Sequence, residues 1–107
     1  LNDMSEPFGR LYNNLLLKIG PELSASYFAS GNAAYNDEDY DAAIADLTKA
    51  VNYDATNGDA LFTLGNAYRR AGKNVEAIEV YERVIELFPG TQRAARAQNY
   101  INDLRNQ

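Results

Sequence analysis

The side chains with the most scope for chemistry recur in register. Phe28 and Asn32 are followed 34 residues later by Phe62 and Asn66, and the second set is joined by four cations, Arg69, Arg70, Arg93 and Arg96. An asparagine amide offers both donors and an acceptor, so one such side chain can pair the N–H and the C=O of an extended peptide whatever its sequence. A phenylalanine on the floor of a groove can take a partner's apolar side chain. Guanidinium groups hold carboxylates through two parallel hydrogen bonds. Taken together, these types at this spacing suit recognition. A plainer alternative makes the asparagines ordinary exposed helix residues and the phenylalanines packing against a neighbouring helix. The arginines would then pair on the surface with Asp59, Asp103 or nearby glutamates.

The chemistry of catalysis finds little to work with. The chain holds no histidine, no cysteine and no tryptophan. The commonest general base and metal ligand is therefore missing, and so are thiol chemistry, disulfides and cysteine-bound zinc. Serine occurs at 5, 24, 26 and 30, with no base beside any of them, so nucleophilic catalysis lacks its partner group. Asp37, Asp39 and Asp41 alternate like the start of a calcium loop, but the required glycine falls on Ala42 and the closing glutamate on Thr48. An acidic turn ahead of a helix beginning at Tyr40 accounts for them through the helix dipole. Glu76, Glu79, Glu82, Arg83 and Glu86 read as a solvated face, with Glu79 and Arg83 four apart. No enzymatic activity, cofactor or metal is expected.

These residues need elements to position them, and the same period supplies the elements. At an offset of 34, Gly31 falls on Gly65, Ala33 on Ala67, Ala43 on Ala77 and Ile44 on Ile78. That period in a helical chain marks a stacked helix-turn-helix repeat, whose units bury their apolar faces only on one another. Ser24 as N-cap opens a helix to about Asn36. After the acidic turn a second runs from Tyr40 to Tyr53, with Ala43, Ile44, Leu47, Ala50 and Val51 as its apolar stripe. A third is expected from about Asp59 to Ala71. A fourth follows from about Val75 to Phe88, with Ala77, Ile78, Tyr81, Val84 and Ile85 inward and Pro89-Gly90 as its stop. Thr91 caps a last helix to about Leu104 with Ala94, Ala97, Ile101 and Leu104 inward. Its opposite side is polar, as in a terminal cap. Before the repeats, Phe8, Leu11, Tyr12, Leu15, Leu16 and Ile19 predict a helix from about Glu6 to Ile19, ended by Gly20-Pro21. Pro21 precedes Ala55 by 34 and Pro89 by 68, which reads this helix as the second half of an earlier, degenerate repeat. Gly31 and Gly65 each cost a helix roughly 1 kcal/mol relative to alanine. A close crossing by the partner helix would explain them, with Ala43 and Ala77 as the matching small residues.

The second copy resembles the tetratricopeptide repeat. Leu64-Gly65, Tyr68, Ala77, Tyr81 and Pro89 stand at that family's signature places, and Leu61 replaces its commonest tryptophan. The first copy keeps Gly31, Ala43, Leu47 and Ala50 but has Ser30, Ala34 and Ala55 at places for Leu, Tyr and Pro. Residues 92–105 resemble the first helix of a third copy, with Asn99 for the glycine. The resemblance spans about 22–105 and implies an all-α, antiparallel helix-hairpin solenoid. Its units would be an N-terminal helix over 6–20, repeats over 24–54 and 58–88, and a capping helix over 91–105. It further implies a single domain over 1–107 that binds a protein or peptide segment in its concave groove. Carried over residue by residue, the groove positions are Ala25, Phe28, Asn32, Tyr35 and Asn36, then Asp59, Phe62, Asn66, Arg69 and Arg70, then Arg93, Arg96, Tyr100 and Asp103. Family members that clamp a C-terminal carboxylate use two asparagines and several cations. Asn32, Asn66 and Arg96 match those places, whereas Phe28 and Tyr100 stand where two cations would be.

Composition sets the remaining bounds. At 107 residues and 46% apolar the chain can build one core. Its net charge of −5 argues against nucleic acid. Residues 1–54 carry nine acids and three bases, whereas 55–107 carry six acids and seven bases. The second half can therefore accept a partner with an acidic end. No stretch is long and apolar enough to insert in a membrane. The alternative to a free groove is a homodimer, formed through exposed helix faces at Tyr12–Leu16 or on the last helix. The first residue is Leu1, which reads as an excised piece of a longer protein. The run Phe88-Pro89-Gly90-Thr91 before an alanine-rich helix resembles bacterial envelope repeat proteins.

Overall fold

In the computed structural model the backbone is described from Asn2 and the side chains from Lys18 onward. The described residues form five helices and no strand: α1 (Asn2–Asn36), α2 (Tyr40–Tyr53), α3 (Gly58–Arg70), α4 (Asn74–Leu87) and α5 (Gln92–Arg105). α1 packs on α2, α3 on α4 and α5 on α4, with the two hairpins joined along α2 and α3. This is the expected all-α hairpin solenoid. Three of the starts, those of α2, α3 and α5, have a local cause, whereas α4 begins after Lys73 without a side-chain cap. Asp39 Oδ1 accepts the Ala42 N–H at 3.2 Å, Asn57 Oδ1 the Ala60 N–H at 3.1 Å and Thr91 Oγ1 the Ala94 N–H at 3.1 Å. Side-chain acceptors are thus supplied to otherwise unpaired helix donors. The hairpin turns each need a left-handed residue. Gly72 takes it freely at φ 79°, whereas the equivalent residue in the first hairpin is Glu38 at φ 64°.

Two expectations at the front of the chain give way. Gly20-Pro21 does not end a helix; α1 runs unbroken through both. No turn therefore separates the predicted 6–19 segment from the first repeat, so it is not the second helix of an earlier hairpin. An interior proline removes one helical hydrogen bond and crowds the preceding turn. Tertiary contact offsets that cost. α1 lies so close to the end of α2 that a Cβ on Gly20 would sit 2.7 Å from the Tyr53 carbonyl oxygen. One turn later Ser24, fully buried, donates its hydroxyl to the Ala50 carbonyl at 2.6 Å and accepts from Asn57 Nδ2 at 2.9 Å. Ser24 is thus a tie between three helices and not an N-cap. What the side chains of Phe8, Leu11, Tyr12, Leu15 and Leu16 touch lies outside the described residues, as does self-association through Tyr12–Leu16.

The core is a row of small and medium residues from α2 to α5: Ala43, Leu47, Ala50, Ala60, Leu61, Ala67, Ala77, Tyr81, Val84, Ala97 and Ile101 are all at most 1% exposed. The glycine crossings need correcting in detail. A Cβ on Gly31 would meet Leu47 Cγ at 2.7 Å, and one on Gly65 would meet Tyr81 Cε1 at 2.6 Å. The nearest neighbours of the glycines are the large side chains one turn beyond Ala43 and Ala77, for which they make room. Ala33 and Ala67 also differ despite their shared register: Ala67 is buried and Ala33 exposed. α5 turns Gln98, Asn99, Asn102 and Asp103 to solvent, so that end presents a polar face and not an apolar one for self-association.

Candidate functional site

The groove residues of the second half converge on an aromatic centre. Phe62 on α3, Tyr81 on α4 and Tyr100 on α5 form a triangle of rings, with centroids 6.0 Å apart for Phe62–Tyr81, 6.3 Å for Phe62–Tyr100 and 5.3 Å for the stacked Tyr81–Tyr100 pair. Tyr81 can lie there because Gly65 leaves space for its ring. Guanidinium groups surround the triangle: Arg69 at 4.2 Å over Tyr100, and Arg93 and Arg96 at 5.9 and 5.5 Å over Phe62. Each is close enough for attraction to the ring face.

Hydrogen bonds fix part of this arrangement. The Tyr81 hydroxyl donates to Asn66 Oδ1 at 2.6 Å and accepts from Arg69 Nε at 3.1 Å. Burial pushes the Tyr81 phenol up to about 12, against the opposing pull of the Arg69 hydrogen bond. Burial is the largest single influence on Arg69 and works against its charged form, but the hydrogen bond to Tyr81 and the charge interactions with Tyr81, Tyr100 and Tyr35 together outweigh it, and the guanidinium is held more firmly protonated. Arg93 Nη2 pairs with Asp59 Oδ1, so for this residue the surface-pairing alternative holds. Arg96 is exposed and makes no ion pair among the described residues. Beside it a pocket of about 360 Å³ is lined by Phe62, Thr91, Gln92, Arg93 and Arg96. A second, of about 410 Å³, opens next to Arg69 and Tyr100 and reaches Asn74 and Asp103.

The remaining predicted site residues lie apart from this centre. Tyr35 meets the edge of Tyr40 at 5.7 Å, and Arg70 reaches back over Tyr40 at 5.4 Å and towards Glu38 at 3.7 Å. Arg70 is thus tied to the turn of the first hairpin and does not extend the cluster of Arg69, Arg93 and Arg96. Phe28 is half-buried against the core and forms no ring pair with Phe62 among the described residues. Asn32 is half-buried and has no side-chain hydrogen bond among the described residues. Its hairpin has Leu47 where the next has Tyr81, so no hydroxyl reaches it. Tyr81 is the residue that sequence reasoning placed only in the core. The available signal was a phenol at a position whose repeat partner is a leucine: a buried hydroxyl must find partners, and the partners here are groove side chains. At the acidic turn Asp39 caps α2, in line with the dipole reading, and no group of three or more potential ligands gathers for a metal among the described residues. Glu82 pairs with Arg105 on α5 at 2.9 Å, whereas Glu79 and Arg83 form no ion pair among the described residues. Among the described residues no helix is long and apolar enough to cross a membrane.

Comparison with known proteins supports the architecture. The chain is similar to the crystal structure of MamA, at 27% identity and a TM-score of 0.63 over 78% of this chain and 53% of that one. It thus spans about half of that relative's length. It is also similar to the solution structure of a tetratricopeptide repeat domain protein from Salinibacter ruber, at 22% identity and a TM-score of 0.67 over 80% and 90% of the two chains. The first such domain of Spaghetti (RPAP3), bound to the HSP90 peptide SRMEEVD, aligns at 20% identity with a TM-score of 0.52 over 80% and 93%. No curated protein matches the chain. A family model described as tetratricopeptide repeat covers residues 28–91, across both hairpins and their shared interface. With that match and two hairpins in the expected register, each with a glycine at its helix crossing, the chain belongs to the tetratricopeptide repeat family, whose members are protein–protein interaction modules and generally non-catalytic.

Proposed function

We propose that this domain is a non-catalytic scaffold that holds an extended, acidic segment of a partner protein across α3 and α5. The observation that carries this reading is the ring of Arg69, Arg93 and Arg96 around Phe62 and Tyr100, in a chain whose overall charge is −5. Only Arg93 is neutralised by a carboxylate among the described residues, so the cluster keeps a surplus of positive charge against the sign of the whole molecule. An apolar residue of the partner would lie on Phe62 and Tyr100, with acidic residues beside it at Arg96 and Arg69. Asn32, free to present donor or acceptor, would pair the partner's backbone in the first half of the groove. A charge-assisted hydrogen bond contributes roughly 1.5–3 kcal/mol, and exposed charges are screened within about 10 Å at 0.1 M salt. Binding by this mechanism weakens with salt. Peptide capture by the Spaghetti domain supports the general mode.

The test is fluorescence anisotropy with labelled dodecapeptides in which an apolar residue is flanked by Glu/Asp, by Gln/Asn or by Lys. The acidic set is expected to bind and the lysine set not. Arg96→Glu should weaken the acidic set at least tenfold, and Phe62→Ala should weaken it with less effect on salt dependence. Absence of binding by every peptide at millimolar concentration, or Arg96→Glu binding the acidic set as the native chain does, would overturn the proposal.

A further inference from the structure

The two groove asparagines share a register but not an environment, and the difference has chemical content. Asn66 Oδ1 is occupied by a strong donor, the Tyr81 hydroxyl at 2.6 Å. That bond sets which end of the amide faces the groove, because the other end, Nδ2, has no partner among the described residues and carries two donors. The same hydroxyl receives Arg69 Nε at 3.1 Å, which leaves the terminal guanidinium nitrogens of Arg69 for a ligand. One buried oxygen thereby orients two side chains so that both present only N–H groups. Arg96 adds a third set of donors and has no acceptor to give. The hydroxyl cannot turn away easily: Tyr81 is 0% exposed, its ring is stacked on Tyr100 at 5.3 Å, and it fills the space left by Gly65. In the first hairpin Leu47 stands at the place of Tyr81 and offers no hydroxyl, so Asn32 has no such constraint.

We infer that Tyr81 is a positioning residue for selectivity: by holding Asn66 through its oxygen and Arg69 through Nε, it makes the second half of the groove a donor-only surface that takes carboxylates and rejects their amide isosteres. This rests on the reading of the groove as a site for acidic peptides and extends it from charge to hydrogen-bond polarity. An amide in the partner would bring its own N–H groups against Asn66 Nδ2 and Arg69, leaving donors facing donors. A site whose polar groups are left unpaired by the wrong ligand discriminates more strongly than charge alone in an exposed groove. In the first half, Asn32 can rotate to suit either partner, so the two halves divide between tolerant backbone pairing and strict selection.

The experiment compares each acidic peptide with its Gln/Asn isostere on the native chain and on Tyr81→Phe, which keeps the ring and removes only the hydroxyl. The native chain should prefer the acid by tenfold or more. In Tyr81→Phe, which keeps all three arginines, that ratio should fall at least threefold without reaching unity, and Asn66→Ala should add little further loss in the Tyr81→Phe background. A purely structural role for Tyr81 would weaken both peptides alike and leave the ratio unchanged, which overturns the inference and spares the proposed function. If the native chain binds no acidic peptide, the proposed function fails and the inference with it. A second measurement needs no variant. The Tyr81 hydroxyl proton should be visible and slowly exchanging by proton NMR of the native chain, and its rapid exchange with water would likewise overturn the inference.

Discussion

Gly65→Ala tests the crossing on which the candidate site is built. The glycine has no positive φ, so alanine would suit the backbone and on helix preference alone would stabilise α3 by about 1 kcal/mol. The added Cβ, however, would fall 2.6, 2.8 and 3.2 Å from Tyr81 Cε1, Cδ1 and Cζ. Ordinary carbon–carbon contact is about 3.5–4.0 Å, so the ring must retreat by roughly 1 Å. It has nowhere to go, since it is fully buried, stacked on Tyr100 and held by Asn66 and Arg69. Overpacking of this kind costs about 1–3 kcal/mol, and stretching two hydrogen bonds adds about 1 kcal/mol each at most. After the helix gain is subtracted, these terms span about 0–4 kcal/mol and centre on a net loss of about 2 kcal/mol, a fall in Tm on the order of 10 °C for a chain of this size. Urea unfolding followed by circular dichroism should show this loss for Gly65→Ala. In a Tyr81→Ala background the same substitution should be neutral or stabilising. Unaltered stability of Gly65→Ala, or an equal penalty with and without the Tyr81 ring, would refute the reasoning.

Two further outcomes follow from buried polar groups. Ser24→Ala should destabilise by about 1–2 kcal/mol in the same urea assay, because Asn57 Nδ2 loses its acceptor while the Ala50 carbonyl keeps the Asp54 N–H; no loss would show that the tie contributes nothing to folding. The pH dependence is fixed by Tyr81, an acid whose folded-state pKa is raised. The unfolded chain releases the phenol proton near the ordinary 10, and the folded chain holds it to about 12. Stability is therefore untouched by this group below pH 10 and falls as pH rises from 10 to 12, by about 2–3 kcal/mol in total. Unfolding measured between pH 8 and 11.5 should show a fall in the native chain that Tyr81→Phe lacks; parallel profiles would contradict the assignment.

The repeat part of the fold was legible because its signals are local and redundant. The span Tyr40–Tyr53 coincides with α2, and α3, α4 and α5 begin or end within a residue or so of the expected places. Caps and turn residues at Asp39, Gly72, Thr91 and Gly90 reinforced a 34-residue period in these stretches. Gly20-Pro21 misled because it is a local stop signal overruled by contacts to Tyr53 and Ala50, which lie some thirty residues away. At the site, residue types were readable but directions were not. Arg69 and Arg70 are neighbours in sequence, yet one stacks on Tyr100 and the other reaches the turn of the first hairpin. A helix places consecutive side chains about 100° apart, and only tertiary packing decides which of them meets a partner. Tyr81 combined a core ring with a groove hydroxyl, so an inward-facing position in an apolar stripe concealed its polar role.

The Ser24 tie has a consequence for cooperativity. Joined to Ala50 and Asn57, the buried Ser24 couples α1, α2 and the start of α3 through a polar contact. The next junction lacks it. Gly58 stands in the place of Ser24, and the space beside it is occupied by the Phe88 ring and Arg93. α5 is held by its apolar stripe and by exposed ion pairs to Asp59 and Glu82, and pairs of that kind contribute little. In a chain of units whose stability is a sum of nearest-neighbour couplings, the last junction thus lacks a polar coupling that the first has. As a terminal unit without that tie, α5 is expected to open at a free energy below that of global unfolding. Because α5 supplies Arg93, Arg96 and Tyr100, detachment dissolves half of the groove, and an occupied groove must hold the helix down. Occupancy is thereby linked to the integrity of the array, and amide exchange along α5 becomes a direct reporter of the bound state.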